Sequence, residues 1–401
     1  MHYAVPRILH EAGMLERLCT DICSAKGWPS LLHALPQRWL PKAAQRLAAR
    51  VPEGIPSSRI VAFNSFGYQY ARSLSKCRSS AETTNIALVF SRKFCELVLK
   101  CGFRETQGVY TFNSAGLEIL QRARREGLRA VVEQTIAPKR LEGELLSQER
   151  ERFPKWESAQ AENEFATQYA EREAAEWQAA DLVLCGSGFV RDGIARCGGP
   201  VEKCVVVPYG VDVSKQKAES RKQKTGGPLR VLTVGAVGLR KGAPYVLEAA
   251  KQLKGVAEFR WVGGSNLNPA AIRELDHAID LTGPVPRSEV NQHFQWADVF
   301  LLPSICEGSA TVTYEALAHG LPVVCTPNAG SVVRDPIEGF LVAMRDAKAI
   351  AAAIGRLAGS PDLRARMGQN ARLRATEFTV EAYGQRLLSA LKAVRSRSIL
   401  C

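Results

Sequence analysis

Residues 297–335 read ADVFLLPSICEGSATVTYEALAHGLPVVCTPNAGSVVRD and contain the pattern on which the predicted fold rests. Two short apolar runs, Val299–Leu302 and Val323–Cys325, have the character of buried parallel strands, and the segment between them predicts a crossover helix. The helix is predicted to begin near Ser309 or Thr311, because either hydroxyl can cap it. The stretch therefore predicts strand, loop, helix and strand, which is the repeating unit of an α/β fold.

Two carboxylates stand near the start of this helix. Glu307 lies in the entering loop, and Glu315 lies one to two turns inside, very roughly 9 Å along the axis at about 1.5 Å per residue. A helix N-terminus offers unpaired N–H donors and partial positive charge, so it suits a diphosphate. Gly308, Ser309 and Ala310 are small enough to let such a group approach. The arrangement suits a nucleotide sugar, and the alternative is that both glutamates are ordinary surface residues.

The pattern E-x7-E from Glu307 to Glu315, followed by ALAHGLPVV, resembles a known signature. It is similar to EGFGLxxLEAMAxGxPVV of the retaining glycosyltransferases of family four. The resemblance implies the GT-B fold: α/β, with two Rossmann-like doubly wound domains facing a central cleft. It is strong over residues 200–395 and covers the first half only in outline. The chain departs from the signature at Ala310, where the family usually has glycine.

A second candidate segment is LRVLTVGAVGLRKG, residues 229–242, in which a strand runs into Gly235 and then into two cations, Arg240 and Lys241. Arg can fork onto phosphate oxygens and Lys supplies a point charge, so together they can neutralise a leaving diphosphate. The family carries a diphosphate-binding Arg and Lys in the corresponding loop, often with Arg directly after the first glycine, where this chain has Ala236. Lys241 therefore matches the family more closely than Arg240 does. An exposed basic turn is the alternative.

The resemblance also implies roles for individual residues. Glu307, Lys241 and Arg240 are the predicted catalytic residues: Glu307 holds hydroxyls of the donor sugar, and the two cations assist departure of the diphosphate. Glu315 is predicted to accept a hydrogen bond from the ribose, and Val285 to contact the nucleobase. The other predicted donor-binding residues are Gly235, Gly308, Ser309, Ala310 and Thr311. The sequence has no DxD motif, so we expect no metal and no cofactor apart from a UDP- or GDP-linked sugar as co-substrate.

The function implied by the resemblance is retaining transfer of a sugar from a nucleotide-diphosphate donor to a glycan or lipid-linked acceptor. The acceptor is expected in the first domain, where Glu133, Gln134 and Thr135 are the polar candidates. Two alternatives stay open: another GT-B enzyme class, such as a sugar-nucleotide epimerase or an inverting transferase, and a non-catalytic GT-B subunit that binds a partner. The glutamates and Lys241 favour an active enzyme, whereas the poorly defined opening strand favours the subunit. That strand is either Tyr3–Val5 or absent.

The length of 401 residues favours two domains. Residues 1–207 are the predicted acceptor-binding domain and residues 208–379 the predicted nucleotide-sugar-binding domain, with a terminal helix over 380–401 that packs back on the first. The stretch 214–227 is rich in basic residues and predicts a mobile loop. No apolar run approaches the roughly 20 residues that cross a bilayer, and no signal-peptide core is evident, so a cytoplasmic protein is predicted.

The eleven cysteines include no CxxC pair, and several lie in apolar strands. This pattern favours reduced, buried thiols over secretion or a structural zinc site. Cys306 stands beside Glu307, but it has no partnered histidine and is not expected to be a nucleophile.

The formal net charge of +13 requires an anionic partner. The basic residues of the C-terminal helices are spread out and not interleaved with aromatics, which argues against nucleic acid. Peripheral contact with an anionic membrane, at its inner face, is an alternative. The basic segment over residues 35–51 carries Leu35, Trp39, Leu40 and Leu47, and core packing is preferred for these four over contact with a membrane or an acceptor lipid.

Overall fold

The structure is a computed structural model. It describes residues 3–158, 163–213 and 227–397, with the side chains of residues 37 and 394–397 left out. The loop predicted over 214–227 lies outside the described residues except for its last residue. Within the described ranges, every helix is too short or too polar to cross a bilayer.

The strands of the described residues are short and mostly apolar. In chain order they are β1 Leu18–Thr20, β2 Ile60–Ala62, β3 Gly108–Phe112, β4 Arg129–Gln134, β5 Leu182–Cys185, β6 Cys204–Val206, β7 Leu229–Val234, β8 Ala257–Val262, β9 Ile279–Gly283, β10 Val299–Leu302, β11 Val323–Cys325 and β12 Gly339–Leu341.

Helices separate most of these strands. They are α1 Ala4–Glu11, α2 Lys42–Ala48, α3 Asn64–Leu74, α4 Ser80–Lys100, α5 Leu117–Arg125, α6 Lys139–Arg152, α7 Ala166–Ala179, α8 Gly188–Arg196, α9 Ala243–Gln252, α10 Pro269–Asp276, α11 Val290–Trp296, α12 Thr311–Ala318, α13 Ala347–Gly359, α14 Pro361–Glu377 and α15 Val380–Arg397. The alternation of strand and helix confirms the predicted α/β class.

The second half of the chain forms one six-stranded sheet in the order β12-β11-β10-β7-β8-β9. Every neighbouring pair is parallel. All four residues of β10 are fully buried, because apolar clusters cover both faces of the sheet. The chain winds from β7 through β8 to β9 in one direction and then returns to lay β10, β11 and β12 on the other side of β7. The sheet is therefore doubly wound.

β7 and β10 are neighbours at the point where the winding reverses, with Val231 opposite Val299 and Leu232 opposite Phe300. At such a switch point the loops that follow the two strands diverge to opposite faces and leave a crevice at the carboxyl end of the sheet. The loop after β7 carries the predicted cations, and the loop after β10 carries the predicted glutamate. The topology therefore places both candidate segments at one edge.

The strands of the first half lie in two sheets, β1-β2 and β3-β4-β5-β6, and not in the single parallel sheet that their alternation with helices predicts. Of the two alternatives for the opening strand, the one at Tyr3–Val5 is wrong, because helix α1 begins at Ala4. Leu18 begins β1 and pairs in parallel with Ile60. Between β4 and β5 the described residues form two helices, α6 and α7.

The chain divides into two compact units. One comprises Met1–Glu133, Ala161–Val183 and Gly384–Cys401, and the other comprises Gln134–Gln160 and Leu184–Tyr383. Within the first unit, Gly384 of α15 lies against Ile8 of α1, since a Cβ on Gly384 would sit 3.4 Å from that side chain. The second unit holds the six-stranded sheet and α6. The domain boundaries at 207 and 379 stay a prediction.

Candidate functional site

Helix α12 starts at Thr311, as predicted, but it is not capped by a hydroxyl. Its N-cap is Ala310, which has no side-chain acceptor for the first turn. The Ser309 hydroxyl is engaged elsewhere, 2.8 Å from the Tyr314 hydroxyl and 3.2 Å from the carbonyl oxygen of Gly330. The predicted serine or threonine cap is therefore wrong. Because the helix begins at Thr311, Glu315 lies about 6 Å along the axis and not 9 Å.

The mouth of α12 has free hydrogen-bond donors. Within the described ranges, the structure gives no acceptor for the backbone N–H groups of Thr311 and Val312. The N–H of Thr313 is satisfied by the carbonyl of Ala310 at 2.9 Å. Two donors together with the positive end of the helix dipole form a site where an anion is stabilised.

Glu307 and the two predicted cations meet in one cluster. Lys241 Nζ donates to Glu307 Oε1 at 2.8 Å, and Arg240 Nη1 donates to Oε2 at 3.3 Å. Glu307 and Lys241 are both buried, and Arg240 is half-buried. A buried ion pair holds its partners firmly, because separating them would leave a charge without compensation. The structure thus brings together all three residues predicted to be catalytic.

Gly235, at the end of β7, lets the Lys241 side chain pass. A Cβ at this position would lie 2.4 Å from Lys241 Cε, and the φ of 129° is one that other residues rarely adopt. Its carbonyl oxygen accepts a hydrogen bond from Trp261 Nε1 at 2.9 Å. Glycine is required here to place the ammonium group, whereas the sequence predicted only a role in binding the donor.

Gly308 lies against the backbone that follows β4. A Cβ at Gly308 would come within 2.0 Å of the Thr135 carbonyl oxygen and 2.9 Å of Ile136 Cα. Its own carbonyl accepts a hydrogen bond from Ser187 Oγ at 2.5 Å. A small residue is therefore needed at position 308 for the loop to pack, as well as for any ligand to approach. Thr135, a predicted acceptor-site residue, is thereby placed beside the mouth of α12.

The other two acceptor candidates are buried. Gln134 is fully buried and its Nε2 donates to the carbonyl of Ile136 at 3.0 Å. Glu133 is buried and accepts from the hydroxyl of Tyr110. Thr135 is half-buried and is therefore the most exposed of the three candidates.

Glu315 is paired with Arg287, which lies in the loop after β9. Burial raises the pKa of the Glu315 carboxyl, and the nearby guanidinium of Arg287 acts in the opposite direction. The Arg287 side chain is 77% exposed, so it is held only at its tip. Val285, two residues earlier, is half-buried and packs against the apolar cluster that includes Val234. The loop thus brings a cation and an apolar side chain to the predicted nucleoside end of the site.

Cys306 has no access to a substrate. It is fully buried, and burial raises the pKa of its thiol to about 12, so the thiol stays protonated at neutral pH. All ten described cysteines are free. The part of the chain that the structure describes contains no group of three or more His, Cys, Asp or Glu side chains that could hold a metal ion.

The turn that carries Arg240 and Lys241 is supported by residues that the sequence did not single out. Glu157 Oε1 accepts from the backbone N–H of Leu239 at 3.2 Å. Glu149 is fully buried, accepts from the Tyr245 hydroxyl at 2.8 Å and pairs with Arg345. The pKa of Tyr245 is raised to about 12, chiefly by burial and then by this carboxylate. No local pattern reveals these contacts, because each one joins segments far apart in the chain.

The sequence of this region matches a known family. Residues 228–360 match the family described as Glycosyl transferases group 1. This part of the chain is therefore similar to the glycosyl transferases group 1. The group 1 segment runs from β7 through α13 and so contains Gly235, Arg240, Lys241, Glu307 and Glu315.

Curated relatives share a similar part of the chain. The amylovoran biosynthesis glycosyltransferase AmsK of Erwinia amylovora is 32% identical over 44% of this chain and 47% of its own length. The chain spans about half the length of the curated relatives that it matches.

Solved structures extend the likeness to most of the chain. Sucrose-phosphate synthase from Thermosynechococcus elongatus has a TM-score of 0.62 at 19% identity, covering 77% of this chain and 79% of that protein. Anabaena HepE in complex with UDP has a TM-score of 0.59 at 17% identity, covering 94% of this chain and 100% of that protein. Likeness at such low identity shows the fold, and it confirms the predicted GT-B class.

Proposed function

We propose that this protein transfers a sugar from a nucleotide-diphosphate donor, UDP- or GDP-linked, to a glycan or lipid-linked acceptor, with retention of the anomeric configuration. The observation that carries the proposal is the meeting of Glu307 with Lys241 and Arg240 at the switch point of the group 1 segment, beside the free N–H groups of α12. Cations and N–H donors aimed at one place are what a diphosphate leaving group requires.

The proposed position of the diphosphate follows from charge. Lys241 and Arg240 supply two positive charges, and the mouth of α12 supplies two N–H donors. Together these groups stabilise the negative charge that develops on the departing phosphate, which is the task that a divalent cation performs in other transferases. The proposal therefore includes no metal and no cofactor.

Glu307 is proposed to hold hydroxyls of the donor sugar as well as to fix Lys241. A carboxylate has about four lone-pair sites, and the structure uses one on each oxygen. The remaining sites are able to accept from sugar hydroxyls while the two cations stay in place. Glu315, one turn inside α12, is proposed to accept from the ribose, and Val285 to contact the base.

The proposed reaction breaks the bond between the anomeric carbon and the phosphate oxygen, and it forms the new bond to the acceptor oxygen on the same face of the sugar. The electron pair of the broken bond goes to the phosphate, which then takes the proton of the acceptor hydroxyl. Glu307 is not used as a nucleophile in this scheme, because both of its oxygens are engaged by cations, which lowers their nucleophilicity.

Relatives support the choice of substrates. AmsK is named for amylovoran biosynthesis, and HepE has been solved with UDP-glucose. We propose that this chain likewise serves synthesis of a polysaccharide in the cytoplasm, with Thr135 near the acceptor. The test is a panel of UDP- and GDP-sugars assayed for transfer and hydrolysis in the presence of EDTA. Absence of binding to every nucleotide sugar by calorimetry would overturn the proposal, and activity that EDTA abolishes would overturn its metal-free form.

Replacement of Glu315 with alanine is expected to weaken nucleotide binding by about 10- to 100-fold, since a hydrogen bond to a charged group contributes about 1.5–3 kcal/mol. Titration calorimetry with UDP and GDP measures the change. Arg287→Ala is the matched control, because it removes the cation that occupies Glu315 in this structure. Undiminished affinity in Glu315→Ala would refute the ribose assignment.

As the pH is lowered, nucleotide affinity is expected to fall at a higher pH than it would if Glu315 had the pKa of an ordinary glutamate. Burial raises the pKa of Glu315 above its usual value of 4.5, so its carboxylate becomes protonated at a higher pH than usual and loses an acceptor for the ribose. Affinity for UDP or GDP measured from pH 7.5 down to pH 5 should decline in the wild type. The decline should be much smaller in Glu315→Gln, and an equal decline in both proteins would exclude Glu315 as its cause.

A further inference from the structure

The first compact unit exposes large apolar side chains within a span of twelve residues. Trp28, Leu31, Leu35 and Trp39 are 45%, 71%, 50% and 69% exposed. The sequence favours core packing for Leu35, Trp39, Leu40 and Leu47. This prediction is confirmed for Leu40, which is buried, and is wrong for Leu35 and Trp39, which are exposed. Among the residues that the structure describes, Trp28 and Trp39 are the two exposed tryptophans.

Local structure explains why these side chains stay outside. Residues Trp28–Ala34 form a 3₁₀ helix, in which positions three apart are eclipsed, so Trp28 and Leu31 stand in one row. Pro29 faces inward and is buried. The ring of Trp28 meets the exposed ring of Tyr68 edge-on, with centroids 6.1 Å apart. The exposed residues are thus fixed in place by a buried side of the same segment.

The surroundings of these side chains are cationic. Residues 22–52 contain five Lys or Arg and no Asp or Glu. Three of the cations, Arg38, Lys42 and Arg46, are exposed and form no ion pair with any described residue. Lys42 and Arg46 are four residues apart on α2 and share a face, and α2 packs on the 3₁₀ helix at Trp28–Ala34. We call the four apolar and three cationic side chains the Trp28–Arg46 surface.

We propose that the Trp28–Arg46 surface docks on an anionic lipid bilayer. Tryptophan prefers the boundary between headgroups and hydrocarbon, and leucine enters the hydrocarbon beneath it. Cations without neighbouring acids are drawn to the negative potential of phosphate headgroups. The two properties occur together in one segment, which is the composition of an interfacial element that lies on a membrane.

A lipid surface fits these observations better than single-stranded nucleic acid does. Bases stack on aromatic rings, and tryptophan beside arginine would serve that purpose. Leu31 and Leu35 have no π face, however, and they are as exposed as the tryptophans. Aliphatic side chains that protrude among cations lose their contact with water in hydrocarbon and gain little against a base.

The test is co-flotation of the full chain with vesicles of phosphatidylcholine, with and without about one third phosphatidylglycerol. Binding is expected with the anionic vesicles only and should weaken as salt is raised. Leu31→Ser/Trp39→Ser is expected to reduce partition by at least about tenfold. Arg38→Gln/Lys42→Gln is expected to reduce it by about 25-fold, at about fivefold for each cation.

Matched controls separate this surface from general properties of the protein. Leu373 is 66% exposed on α14, and Lys254 is exposed after α9, so Leu373→Ser and Lys254→Gln should float as the wild type does. Circular dichroism and nucleotide binding should be unchanged in all variants, since none alters the donor site. Failure of the proposed transferase function would leave flotation intact, so the two proposals fail separately.

Several outcomes would overturn the docking proposal. The proposal is wrong if the protein binds neutral and anionic vesicles equally. It is also wrong if Leu373→Ser reduces partition as much as Leu31→Ser/Trp39→Ser does. Binding of a single-stranded oligonucleotide that Trp39→Ser abolishes and Leu31→Ser leaves intact would assign the surface to nucleic acid instead. Self-association in the absence of lipid, lost in Leu31→Ser/Trp39→Ser, would assign it to a second copy of the chain.

Discussion

Replacement of Lys241 with alanine is expected to lower kcat for sugar transfer by about 100- to 1,000-fold, the usual effect of removing one preorganised group that stabilises developing charge. Lys241 is buried, and its ammonium lies 2.8 Å from Glu307, so no solvent cation can take its place without rearrangement. The measurement is kcat and KM for a nucleotide-sugar donor. KM should change far less than kcat, because the charge on the phosphate grows in the transition state.

Two controls accompany this variant. Lys254→Ala removes an exposed lysine from the same unit and should leave kcat unchanged. Lys241→Ala also leaves Glu307 buried without its nearest partner, which is expected to cost about 1–3 kcal/mol of folding stability, so the unfolding midpoint must be measured beside the rate. A folded Lys241→Ala protein with wild-type kcat would contradict the proposed role.

Gly308→Ala is expected to lower both stability and activity. The new methyl group would lie 2.0 Å from the Thr135 carbonyl oxygen, and backbone atoms on both sides would have to move. We expect a loss of about 2–3 kcal/mol in the free energy of unfolding. Because Glu307 is the adjacent residue, displacement of the loop by about 1 Å is expected to reduce kcat by about 100-fold. Urea unfolding and steady-state kinetics measure the two effects.

Gly143→Ala provides the matched control. Gly143 lies within α6, and a Cβ there meets nothing within 4 Å. Alanine in an exposed helical position should stabilise the protein by about 0.5–1 kcal/mol and leave kcat unchanged. If Gly308→Ala behaved as Gly143→Ala does, the contact between the α12 loop and Thr135 would not be a constraint on the site.

The sequence was most informative where structure is local. It predicted β10 as Val299–Leu302 and β11 as Val323–Cys325, and the structure confirms both ranges. It was least informative at the N-terminus, where it left open whether Tyr3–Val5 is a strand, and these residues belong to a turn and a helix. Short apolar runs between glycine and proline signals define buried strands, whereas a run such as YAVPRIL fits either state until its partners are known.

Local sequence was sufficient to predict the α/β class, the strand-loop-helix unit around Glu307 and the nature of the groups at its ends, because these depend on neighbouring residues and on side-chain chemistry. Which of these groups meet depends on the tertiary structure. Lys241 reaches Glu307 across 66 residues because β7 and β10 are neighbours, and Arg287 covers Glu315 across 28 residues. Such contacts depend on strand order and on backbone approach over long sequence separation, which no local pattern encodes.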